Sequence, residues 1–121
     1  MALQCQQDFN ANVRAIERII CRAGIALGID WSNDVVVRAL AHEALTQGAA
    51  TARAASNAPG DITKRVKAEL FGMAALMLRT MTVSALCGQE LSAGPQWKAF
   101  GRALWEENEV LEARVTLSDR D

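Results

Sequence analysis

Between Leu70 and Gly88 the chain reads LFGMAALMLRTMTVSALCG, a run of helix-favouring residues in which Arg79 is the only charge. At helical spacing, Leu70, Met73, Met77, Met81 and Ser84 share one side. Phe71, Ala74, Leu78 and Ala85 share another, and Leu76, Val83 and Leu86 fill much of the remainder. A helix on a protein surface keeps a polar face, so one that is apolar all round must be covered by neighbours, a second copy or lipid. The run is just long enough to cross a bilayer core. Arg79 sits at its middle beside Thr80, Thr82 and Ser84, and a central arginine costs about 2.5–3.5 kcal/mol on insertion scales. No aromatic belt or one-sided excess of Lys and Arg flanks it. The expectation is a buried central helix of a bundle and no membrane contact.

The rest of the chain supports helices throughout. It has 121 residues, enough for one domain, and half are apolar, with three Trp, three Phe and no Tyr. Phe9, Val13, Ile16, Ile20, Ala23 and Leu27 alternate steps of four and three, a coiled-coil-like seam on a first helix. Asp8 is placed to cap or charge its first turn, and Gly24 and Gly28 to end it. Arg14, Arg18 and Arg22 line the opposite side, with Glu17 between them. Ser32 or Asn33 can cap a second helix with Asp34 in its first turn, and Trp31 can staple onto Val35 or Val36. On that helix Val36, Leu40 and Ala44 form one stripe, with Val37, Ala41 and Leu45 beside it. Its second half is nearly all Ala, Gly, Thr and Ser, and should be either tightly crossed or frayed.

Ser56–Asp61 contains adjacent Pro and Gly and is the clearest break. Asp61 can cap a third helix, with Lys64, Arg65 and Lys67 exposed near its start. Pro95 suits the first turn of a fourth, whose inner stripe is Trp97, Phe100, Leu104, Leu111 and Val115, with Trp105 beside it. Gly72 and Gly101, inside helices, should mark close packing. The expected fold is therefore all-α: a four-helix or five-helix antiparallel bundle over residues 1–121, with a buried central third helix and loose tails at 1–6 and 117–121.

Composition narrows function mainly by exclusion. Thirteen basic residues against 14 acidic ones leave a net charge of −1, unlike the strongly basic footprint of a dedicated polyanion binder. Cys5, Cys21 and Cys87 are odd in number and contain no CxxC, which reads as reduced thiols in a cytoplasmic protein. The first residues show no secretory signal pattern. His42 is the single histidine, so a di-metal carboxylate bundle with two Glu-x-x-His pairs cannot be built, and no metal or cofactor is implied. No nucleophile elbow or phosphate-binding glycine loop is present. The Arg38 and His42 pair reads as a polar patch, with Glu43 or a loop carbonyl beside His42. The run from Glu106 to Glu112 reads as a salt-linked solvated face in which Arg102 precedes Glu106 by four residues.

The expected function is a non-enzymatic interaction module. It would bind itself, most simply as a homodimer, or another protein through the third and fourth helices, with Trp105, Trp97, Met77 and Met81 at the contact. The alternative is a subunit of a nucleoprotein assembly that touches a nucleic-acid backbone through Arg14, Arg18, Arg22, Lys64, Arg65 and Lys67. Bundles of this size serve many unrelated purposes, so fold alone does not choose between them.

Overall fold

A computed structural model describes the backbone of residues 2–88 and 93–119 and the side chains of 10–88 and 93–115. Four helices follow one another: α1 (Ala2–Leu27), α2 (Asp34–Asn57), α3 (Ile62–Cys87) and α4 (Pro95–Asp119). Among the described residues there is no strand. The all-α bundle expected from the sequence is present, with four helices among the described residues.

Local chemistry explains most of the boundaries. Asn33 caps α2, its side-chain oxygen accepting from the Val35 and Val36 N–H groups at 3.1 and 3.2 Å. Asp61 caps α3 by accepting from the Lys64 N–H. Gly28 and Gly88 close α1 and α3 at φ 69° and 67°, a left-handed conformation that glycine adopts without the Cβ penalty. Two ends extend past their expected positions. Residues 2–6 are helical, so Asp8 lies inside α1 and not at its N-cap. α4 likewise continues through residues 117–119. Ala, Leu and Gln propagate a helix well, and no Gly or Pro stops it at either place. The side chains of Cys5 and Phe9 lie outside the described residues.

Gly24 does not end α1 but sits within it, where it makes room for a ring. A Cβ there would come within 2.6 Å of the Trp31 indole nitrogen. Trp31 accordingly turns away from the expected staple on Val35 and Val36, which stay exposed, and lies against Phe100 with ring centroids 5.3 Å apart. The α1–α2 corner is thus pinned to α4. Its turn is closed by Asp30, which accepts from the Ser32 N–H and hydroxyl. Those two bonds hold the Asp30 carboxyl below its ordinary pKa.

α3 packs against all three other helices, and α2 and α1 each pack against α4. Among the described residues the backbones of α1 and α2 are not neighbours, so these two helices lie diagonally across the bundle and the circuit runs α1, α3, α2, α4. The short 58–61 connection makes α2 and α3 an antiparallel hairpin. Val13, Ile16 and Ile20 of α1 meet Val37 and Ala41 of α2, Leu70, Phe71 and Met77 of α3, and Phe100 and Leu104 of α4 in one core. Each large side chain buried there contributes about 1.5–3 kcal/mol. The Ala-rich second half of α2 is not frayed, and at Gly48 it is not tightly crossed. It stays helical to Asn57, and a Cβ added at Gly48 would meet nothing within 4 Å.

The third helix is central in its contacts but covered on one side only. Leu70, Phe71, Ala74, Met77, Thr80 and Ser84 are buried, while the opposite side faces solvent. A single layer of neighbours can cover only the inward arc of a helix. The enclosure expected from the sequence is therefore incomplete within one chain.

Candidate functional site

The open side of α3 has a regular pattern. Ile62, Arg65, Glu69, Gly72, Leu76, Arg79, Val83 and Leu86 follow at alternating steps of three and four, and all eight are exposed. That spacing keeps them in one line along the helix. The fractional exposure of its large apolar members decides the character of the face: 72% for Ile62, 37% for Leu76, 39% for Val83 and 83% for Leu86. Ala75 and Thr82 lie exposed beside the line. Thr80 and Thr82 turn their hydroxyls back onto the Leu76 and Leu78 carbonyls at 2.8 Å, so neither presents an unmet donor. From Gly72 to Leu86 this face carries one charge, Arg79.

The residues singled out as contact anchors separate. Met77 is fully buried and Trp97 nearly so; both belong to the core, because each sits on the arc of its helix that faces the other three. Met81 is half-buried against α4, where a Cβ on Gly101 would approach its sulfur to 3.3 Å. Gly101 therefore marks a close crossing, as the sequence suggested. Gly72 does not: nothing lies within 4 Å of a Cβ added there. Trp105 is the one anchor at the surface, 38% exposed, with its indole N–H donating to Glu109 at 3.0 Å.

Arg14, Arg18 and Arg22 line a groove of about 910 Å³ with Ile19, Cys21, Pro95 and Gln96. Its floor is Glu17, whose role the sequence reading missed. Gly94, immediately before α4, has no side chain to cap that helix, and the Glu17 carboxylate replaces one. It accepts from the Gly94 N–H at 3.0 Å and the Trp97 N–H at 3.1 Å. A helix N-terminus attracts anions, but here α1 has already supplied one. Burial and the neighbouring Glu17 carboxylate push the Cys21 thiol above its ordinary pKa, the reverse of an activated nucleophile.

The second basic set is largely engaged within the chain. Lys67 pairs with Glu43 and lies 5.7 Å from the centre of the Phe71 ring, while Lys64 stands 4.0 Å from Asp61. Arg65 is on the open line of α3. Lys67 thus faces α2, whereas the α1 arginines gather around the start of α4. The six cations do not form one track.

Acidic residues of α4 tie it to α2. Arg38 donates to Glu106 at 2.7 Å, and His42 meets Glu107 at 3.2 Å. Neither pairing is local in sequence: Arg38 displaces the expected Arg102 and Glu107 displaces Glu43. Among the described residues no group of three His, Cys, Asp or Glu side chains is placed to hold a metal ion. α3 is long and apolar enough to cross a membrane, and about a third of its most apolar stretch is buried inside the chain.

Fold and surface together define, among the described residues, a four-helix bundle whose third helix carries an open apolar line. No protein-family model matches the chain, and comparisons with curated proteins and with solved structures found no match.

Proposed function

We propose that this protein is a helical interaction module whose working surface is the outer face of α3. The observation that carries this reading is the exposed apolar line through Leu76, Val83 and Leu86 on a single helix face with one charge between Gly72 and Leu86, whereas Ile25, Val35 and Val115, also exposed, lie on three other helices. Full burial of an exposed side chain of this size is worth about 1.5–3 kcal/mol; Leu86 gains most of that on being covered, and the partly covered Leu76 and Val83 gain a fraction each. The fourth helix contributes less than the sequence implied: Trp97 is withdrawn into the core, and Trp105 stands at the edge of a strongly charged face. Three thiols without paired spacing favour a reducing, cytoplasmic setting.

The nucleic-acid alternative has weaker support. A carboxylate occupies the floor of the arginine groove, and Lys67 is committed to Glu43. Backbone binding would weaken steeply with salt and fail in a variant with all three α1 arginines changed to Glu.

The proposal is tested by the Val83→Glu/Leu86→Glu double variant of the full chain. Both positions are exposed, so the monomer should fold normally by circular dichroism. Its associations, measured as molar mass by light scattering and as proteins crosslinked in its host, should be lost. Retention of every wild-type association would overturn the reading.

A further inference from the structure

The outer line of α3 is complementary to itself when reversed. We infer that the occupant of this face is a second copy of the chain, its α3 antiparallel to the first about a two-fold axis midway between Gly72 and Leu76. This rests on the reading of α3 as the binding face and names what binds there.

A two-fold at that point sets Leu76 against the partner's Gly72, Arg79 against the partner's Glu69, Val83 against the partner's Arg65, and Leu86 against the partner's Ile62. Every member of the line finds an opposite, because its alternating steps of three and four read the same in both directions from the axis. The pairs also match in kind. A large side chain meets the one glycine of the line, a cation meets the one anion, and two terminal aliphatics meet each other. The aliphatic stem of Arg65 can cover the valine while its head reaches water.

The reverse orientation fails on the same residues. A parallel pair in register would stack Arg65 on Arg65, Glu69 on Glu69 and Arg79 on Arg79, and like charges in direct opposition select against a mode. Arg79 and Glu69 cannot satisfy each other within one copy, since ten residues of helix hold them about 15 Å apart. A charge pair in such a seam fixes orientation and register more than it adds strength. The lone chain also gives no reason for a glycine at 72, where a Cβ has open space; the partner's Leu76 supplies one. Access is open because α1 and α2 flank α3 from diagonal positions in the bundle, which leaves α3 as an outward corner.

Sedimentation equilibrium of the full chain up to high micromolar concentration tests this, with charge swaps as the decisive arm. The wild type should show a monomer–dimer equilibrium, and R79E and E69R should each weaken it by about tenfold or more. The double variant E69R/R79E should return to within about threefold of wild type, because the pair is restored only across the two copies. Gly72→Leu should weaken the dimer while leaving the helical content of the monomer unchanged. A strict monomer overturns the second-copy proposal, whether it then binds another protein or lipid vesicles. A dimer that Val83→Glu dissociates, but that the double swap does not restore, overturns the antiparallel pairing and leaves the α3 reading standing. A dimer indifferent to Val83→Glu brings down both.

Discussion

The inner seam of α1 and the outer line of α3 are built on the same spacing, and the fold treats them in opposite ways. Val13, Ile16, Ile20 and Ala23 are buried by α3 and α4. Ile62, Leu76, Val83 and Leu86 repeat the steps of three and four and remain exposed. The seam of α1 contains only apolar side chains, whereas the line on α3 interleaves them with Arg65, Glu69, Gly72 and Arg79. A dry core leaves a buried charge unpaired at high cost. A face covered only on association can keep charges that define its partner. Heptad spacing thus says that a face needs cover, and the residues between its apolar members indicate whether that cover is intramolecular.

Four experiments would sharpen or break this contrast. The largest effect should come from comparing the two sides of α3: Met77→Ala should cost about 2–5 kcal/mol. Leu86→Ala, measured at a concentration where the protein is monomeric, should stay within about 0.5 kcal/mol. Equal losses in urea titrations would mean that the outer face is covered within the chain.

Next in size is Glu17→Ala, which removes the cap that α1 provides to α4 and should cost about 1–2 kcal/mol. Hydrogen exchange should locate the loss in the first turn of α4, and Glu17→Gln, which keeps an acceptor oxygen, should recover part of it. Uniform loosening of the whole bundle would contradict a local capping role.

The two helical glycines should respond in opposite senses. Gly72→Ala should raise monomer stability by up to about 1 kcal/mol through helix propensity alone. Gly101→Ala should gain less or lose, because its Cβ presses on the Met81 sulfur. Thermal melts of both under monomeric conditions decide the matter; an equal gain would mean that α3 and α4 have slack where they cross.

The smallest effect belongs to Arg38→Ala. Its ion pair with Glu106 is well exposed on both sides, and such pairs contribute about 0–1 kcal/mol. A melting shift that vanishes in high salt is expected, and a larger, salt-insensitive loss would show that the α2–α4 seam depends on it.

Much of the fold could be read from the chain before its structure. The α1 seam, the Asn33 and Asp61 caps and the break at Pro59–Gly60 are local signals, written in residues within a turn of one another. Glu17 shows the limit. Its spacing between two arginines suggests a solvated stripe, and nothing near it in sequence says that its carboxylate will meet the N–H groups of Gly94 and Trp97. A glycine with no capping side chain immediately before Pro95 was the one available hint that a cap must come from elsewhere. The same limit applies to Trp31, whose ring partner Phe100 lies far along the chain. Met77 and Met81 could not be told apart as core and margin until the positions of α1, α2 and α4 fixed which arc of α3 is covered.

By itself, then, the sequence determined the helices, most of their ends and the all-round apolar character of α3. Those follow from propensity, capping and periodicity, which act over a few residues. Only the tertiary structure decided which arc of α3 stays open and which carboxylate caps α4. Both depend on where distant helices lie, and contacts between residues dozens of positions apart leave no local trace in the order of the chain.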